Sequence, residues 1–256
     1  MRLERPDPPE PPAWLVARPI AHRGLHGARA GVAENSIAAA NAAIARNYAV
    51  ECDIELTRDA EAVVFHDDAL DRLTQAHGRV GAYTLRELTG LTLEGDPCRM
   101  PSLREFLEAV GGRVPLVIEI KSRFDGDFRL AARALEALSG YDGPAALKSF
   151  DPTVVAFLRA RRASRPLGLV AQAQYAAHDW PQLTPARRRL LAALADFPAA
   201  RPDFLSFHAG DLPHAAPTLC RAGLGLAVMA WTVRGPDEAA QALRWADQIV
   251  FEGFEP

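Results

Sequence analysis

The chain has 256 residues, 49% of them hydrophobic and 24% charged, with a formal net charge of -3. That composition suffices for one large globular domain with a well-buried core, and it excludes an intrinsically disordered chain. The slightly acidic balance gives no general attraction to nucleic acid or to an anionic membrane, so any phosphate-bearing ligand must be gripped by a local cluster.

The amino terminus, MRLERPDPPEPPAW, is rich in proline and carries acids where a secretory signal needs an apolar core, and no later stretch is long enough to span a bilayer. Cys52, Cys98 and Cys220 are too few, odd in number and too far apart for a disulfide framework or a paired-cysteine zinc site. These features lead us to expect a cytoplasmic protein in a reducing compartment, without stable membrane insertion.

In chain order, Ile20 begins the first strand-like run. Asn35 to Arg46 reads as the first helix, opened by the capping residues Asn35 and Ser36 with Glu34 near its amino end. Strand-like runs follow at Val50–Leu56, Ala62–Phe65, Leu116–Ile120, Ala145–Leu147, Leu167–Ala171, Phe204–Phe207, Leu226–Trp231 and Gln248–Phe251. Helical segments such as Phe124–Leu138, Thr153–Arg162 and Asp237–Trp245 lie between them, with proline or glycine at their ends.

If Ala62–Phe65 is a partner of the second strand, eight strand–helix units remain. The expected fold is therefore an α/β protein of the (β/α)8 TIM-barrel type, a single domain over residues 1–256. Leu70 to Pro101 breaks the alternation with turn residues and short segments, including Leu85–Leu88 and Glu94-Gly95-Asp96-Pro97. It reads as a small insertion after the second barrel strand (residues 70–101), either padding for the rim or a lid over a site.

The polar clusters fall where apolar runs end: His22-Arg23 after Pro19-Ile20-Ala21, Glu51 and Asp53 within the second strand, and His66-Asp67 after Val63-Val64-Phe65. Residues two apart on a strand share a face, so Glu51 and Asp53 point together, and Glu119 on the next barrel strand can join them. Three converging carboxylates repel unless a hard cation sits among them. Oxygen-only ligation points to one divalent cation, Mg²⁺ or Ca²⁺, rather than zinc. The alternative for such acids is surface salt bridging.

Arg23 and Lys121 supply positive charge for the oxygens of a phosphodiester, Arg as a fork and Lys as a point charge, unless they are structural partners of the acids. His22 and His66, at neighbouring strand ends, are the acid–base candidates, because diester hydrolysis needs one proton taken and one given near neutral pH. The spacing does not say which does which. Trp231 either packs the core or offers an amphipathic ring at the barrel mouth to glycerol or a choline-like cation. Asn35 fits a helix cap.

Taken together and in order, His22-Arg23-Gly24, Glu34-Asn35-Ser36, Glu51-x-Asp53, Thr57-x-Asp59, His66-Asp67 with Leu70-x-Arg72-x-Thr74, and Glu119-x-Lys121 resemble the glycerophosphodiester phosphodiesterase family, in its single-domain bacterial form. Ser149-Phe150-Asp151 and Trp231-Thr232-Val233 resemble later landmarks of that family, which also carries a small subdomain where the insertion lies. Two departures are visible: Ala60 stands where glycine is usual, and Phe251-Glu252-Gly253 stands where a Thr-Asp pair is common.

The resemblance implies that Asn35 orients His22 or the phosphate. It also implies a metal-dependent phosphodiesterase that cuts a small-molecule glycerophosphodiester into glycerol phosphate and an alcohol. A lysophospholipid or another small diester is the alternative substrate. A catalytically silent phosphate-binding barrel is the alternative function, opposed by the presence of both histidines and all three acids.

Overall fold

In the computed structural model, residues 12–27, 32–94 and 97–256 are described. Residues 1–11, most of the proline-rich start, lie outside them, as do Gly95 and Asp96 of the expected turn. The strands are β1 (Ile20–Ala21), β2 (Ala49–Leu56), β3 (Ala62–Val64), β4 (Leu116–Ile120), β5 (Ala145–Ser149), β6 (Leu167–Ala171), β7 (Phe204–His208), β8 (Ala227–Val233) and β9 (Gln248–Phe251). All pair in parallel except β3, which folds back antiparallel on β2. β1 pairs with both β2 and β9 and so closes the sheet on itself. The result is the expected barrel of eight parallel strands.

Parallel strands buried on both faces need continuous apolar sequence. The barrel strands supply it, LVIEI in β4 and LGLVA in β6 being wholly buried. One face of the strands packs outward against the helices. The other fills the barrel, where Ile20, Ala49, Val117, Ala146, Phe204, Ala227, Met229 and Val250 form one cluster. Gly168 is required there: a Cβ at this position would lie 2.3 Å from the Phe204 ring. Below them a single turn at Ala13–Leu15 closes the barrel floor, with Leu15 buried and Trp14 packed beside it.

The helices are α1 (Ile37–Ala45), α2 (Leu85–Leu88), α3 (Leu103–Val110), α4 (Arg129–Leu138), α5 (Pro152–Ala160), α6 (Pro185–Ala192), α7 (Phe197–Ala200), α8 (Ala215–Leu224) and α9 (Pro236–Ala242). Their starts carry local signals: Ser102 forms a capping box with Glu105 at α3, and Asp151 caps α5 ahead of Pro152. None of these helices is long and apolar enough to cross a membrane.

Among the expected boundaries that move, two bear on the site. Phe124–Leu138 is helical only from Arg129, since Phe124 and Gly126 have φ of 59° and 80° and the chain turns there. The first helix begins after Ser36, whose side chain accepts from the Ala39 amide, whereas Asn35 has φ of 56° and lies outside the helix.

The stretch from Leu70 to Pro101 folds as a pad against β3. Leu70, Val80, Leu88, Leu93 and Met100 bury against Val63 and Phe65. Within it, α2 is closed by a capping box between Thr84 and Glu87.

Candidate active site

Strand register builds the cluster. Asp53 lies beside Glu119, and Glu119 beside Lys148. Since alternate residues share a face, Glu51, Asp53, Glu119 and Lys148 all project into the barrel. One carboxylate oxygen from each of Glu51, Asp53 and Glu119 can be chosen so that all lie within 4.8 Å of one another, and all three residues are buried. That donor set, oxygen only and without thiolate or imidazole, fits a hard divalent cation.

Cations of the chain surround the acids. Lys121 is 2.7 Å from both Asp53 Oδ1 and Glu119 Oε1, and Lys148 is 3.0 Å from Glu51 Oε1 and 3.1 Å from Glu119 Oε2. Burial pushes the Asp53 and Glu119 carboxyls up, yet Lys121 and its neighbours overcome it. Asp53 is held well below the usual range, and Glu119 is held at about 2 by Lys121 and Lys148.

Arg23 follows β1 in a left-handed conformation, φ 56°, and its amide donates to Glu51 Oε2 at 2.9 Å. Its guanidinium pairs with Glu34 at 2.6 Å and lies 3.5 Å from Asp53. Gly24 has no alternative, because a Cβ there would sit 2.7 Å from the backbone of Ala39 in α1.

Asn35 does not form the helix cap its sequence position suggested, and its side chain turns to Asp53 instead. Its Oδ1 accepts from the Asp53 amide at 3.1 Å and its Nδ2 donates to Asp53 Oδ2 at 3.0 Å. Capping falls to Ser36 alone.

The two histidines share a design. His22 Nδ1 is 2.7 Å from Glu252 Oε2, and His66 Nδ1 is 2.7 Å from Asp67 Oδ1. A carboxylate on Nδ1 fixes the ring and its tautomer, leaving Nε2 for proton transfer. The hydrogen bond from His22 brings the Glu252 carboxyl down to about 2. Arg72 steadies the second pair: it donates to both oxygens of Asp67 and, at 3.0 and 2.7 Å, to both of Glu34. His66, Asp67, Arg72, Glu34 and Arg23 thus form one continuous polar network.

Trp231 lies inside β8, two residues before its end, and donates from Nε1 to the Ser206 carbonyl at 3.0 Å. Its ring stands edge-on to Phe150, which in turn packs on Trp180. These rings line a cavity of about 540 Å³ together with His66, Asp67, Glu119, Lys121 and Phe124. Among the described residues, no side chain from Leu70 to Pro101 belongs to that lining.

The geometry therefore brings all nine sequence candidates to one end of the barrel, and it adds residues that sequence reasoning passed over. Lys148 is one, though a lysine inside the run AALKSF is itself a sign of a buried partner. Glu252 is another, visible earlier only as a departure from a family pattern. The other departure, Ala60, has φ of 60°, which explains why glycine suits that turn.

The model of the family described as "Glycerophosphoryl diester phosphodiesterase family" matches residues 22–251. A glycerophosphodiester phosphodiesterase of Caldanaerobacter subterraneus subsp. tengcongensis is 39% identical over 113 residues, covering 40% of this chain and 44% of that protein. The match thus spans less than half of that relative's length. Among solved structures, an Oleispira antarctica phosphodiesterase in complex with the product sn-glycerol-3-phosphate superposes with a TM-score of 0.75 at 24% identity, over 91% of each chain. A glycerophosphodiester phosphodiesterase from Thermotoga maritima gives 0.68 at 24%, over 91% of this chain and 92% of that one. These two likenesses concern the fold. The family match extends over nearly the whole barrel, from His22 to Phe251, and by it the chain belongs to the glycerophosphoryl diester phosphodiesterase family.

Proposed function

We propose that this barrel hydrolyses a glycerophosphodiester to glycerol phosphate and an alcohol, with His22 and His66 as its acid–base pair. The observation that carries the reading is the convergence of three buried carboxylates with two histidines, each oriented by its own carboxylate, at the C-terminal end of the barrel. Family membership and the glycerol phosphate bound by the Oleispira protein support the same substrate class.

Glu51, Asp53 and Glu119 would hold one divalent cation, Mg²⁺ or Ca²⁺, which when bound offers a charge sink for phosphate oxygens. Lys121, 18% exposed at the cavity, takes a non-bridging oxygen, and Arg23 holds Glu51 and Asp53 in place while adding positive potential behind them. One histidine removes the proton of the attacking group through Nε2 and the other delivers one to the leaving alkoxide. Asn35 acts through Asp53, donating to its carboxylate and accepting from its backbone amide, which fixes both side chain and strand. Phe150, Trp180 and Trp231 form an apolar wall for the departing alcohol.

The test is a panel of glycerophosphodiesters, a lysophospholipid and a small aryl diester, each assayed with Mg²⁺, Ca²⁺ and chelator, with glycerol phosphate detected by a coupled enzyme. Release of glycerol phosphate from at least one diester, abolished by chelator, is expected. No release from any diester with either cation would refute the reading.

A further inference from the structure

Lys148 has no part in the proton transfers or the phosphate contacts, and its position differs from that of every other cation near the site. It sits on β5 beside Glu119, its side chain is only 3% exposed, and its ammonium touches Glu51 and Glu119 at 3.0 and 3.1 Å. Two residues earlier on the same strand face is Ala146, part of the packed barrel filling, and two residues later, just past the strand end, is Phe150, in the aromatic wall above. The ammonium is therefore enclosed beneath the acids, with no route to the mouth.

All six oxygens of the three acids lie within 3.1 Å of a nitrogen of the chain: Lys148 and the Arg23 amide for Glu51, Lys121 and Asn35 for Asp53, Lys121 and Lys148 for Glu119. An entering divalent cation must share or displace these partners. Lys121 has a flexible stem at the cavity and can turn toward a phosphate oxygen. Lys148 cannot leave, so its charge remains beside whatever the acids bind.

We propose that Lys148 is a permanent counter-cation under the cation position, a positioning residue that neutralises one of the cluster's three negative charges and thereby sets a low affinity for the divalent ion. This rests on the reading of Glu51, Asp53 and Glu119 as a cation site. Two influences of Lys148 oppose each other, since it braces the acids and also repels a second cation. Repulsion wins. Glu51 keeps the Arg23 amide at 2.9 Å and Glu119 keeps Lys121 at 2.7 Å when Lys148 is removed, whereas a unit charge a few ångströms from an ion inside a protein is weakly screened.

The experiment is calorimetric titration of chelator-stripped protein with Mg²⁺ and, separately, Ca²⁺, without diester present. Lys148→Met should bind the cation at least about tenfold more tightly than the parent, because affinity follows the net charge of the ligand set. Lys148→Arg, which keeps the charge, should stay close to the parent. Equal or weaker binding by Lys148→Met overturns the proposal. Should that variant fold only with cation present, its affinity is read from the dependence of Tm on cation concentration, and no gain over the parent overturns the proposal equally. Because no diester enters the titration, an inactive chain whose Lys148→Met variant still gains affinity would refute the hydrolase reading and leave this one standing. A chain that binds neither cation in either form would overturn this one whatever diesters it cleaves.

Discussion

Asp53 is held from three directions, by Lys121, by Asn35 and by the longer contact from Arg23, so its carboxylate is the most tightly placed of the three acids. Asp53→Asn keeps the shape and removes the charge; turnover should fall by roughly 10²-fold or more with weaker cation binding, while circular dichroism stays unchanged. Normal turnover in Asp53→Asn, or in metal-stripped parent, would remove the acids from the reaction. His22→Ala and His66→Ala should each lose roughly 10² to 10⁴ in turnover on a substrate with a poor leaving group, with a non-additive double variant. A variant that retained near-normal rates there would lose its assigned role. These residues were legible because each follows an apolar run, at the point where a buried strand meets solvent. The partner of His66, Asp67, is its neighbour in the chain, whereas the partner of His22 was hidden, since Glu252 is 230 residues away and a single sequence carries no trace of such a contact.

At the scale of elements, the segment between β3 and α3 divides in two. Its main body is a pad with a core of its own, and among the described residues it adds nothing to the cavity lining. Arg72, near its start, is different, because that side chain joins His66's carboxylate partner to Glu34. Arg72→Gln should therefore lower turnover by roughly 10- to 100-fold, the usual cost of losing a partner that orients a functional group. The change in Tm should be small, because the Arg72 side chain is 46% exposed. A large Tm loss with unchanged turnover would make Arg72 a stability residue instead. Headgroup choice is expected of the aromatic wall: Trp180→Ala should reorder kcat/KM among glycerophosphodiesters more than it slows a small aryl diester. An unchanged ranking would exclude Trp180 as a selector. The pad was recognisable from its turn residues and missing strand–helix unit, but its packing was not, because burial against β3 depends on contacts that periodicity does not encode.

For the molecule as a whole, the barrel could be counted from sequence because parallel strands buried on both faces must be written as continuous apolar runs, whereas the floor turn at Ala13–Leu15 carries no periodic signal. A closed barrel also concentrates charge: strand ends that are distant in sequence converge on one rim, and their carboxyls are tuned together. Glu252 is brought to about 2 chiefly by its hydrogen bond from His22, and Glu119 is held at about 2 by Lys121 and Lys148 against its burial, both from an ordinary value of 4.5. Each carboxyl thus binds its proton less readily in the folded barrel than in the unfolded chain. The associated stability is complete above about pH 5 and drains away as the pH falls from the ordinary value toward about 2. For Glu252 the amount is on the order of 3 kcal/mol, from the difference between 4.5 and about 2. Glu252→Gln should accordingly be less stable than the parent near neutral pH, with the difference closing as the solution is acidified through that window. The check is the urea midpoint of parent and variant measured at intervals from pH 7 down to the acid limit. Two curves that stay parallel throughout would mean that the His22–Glu252 contact is not what depresses this carboxyl.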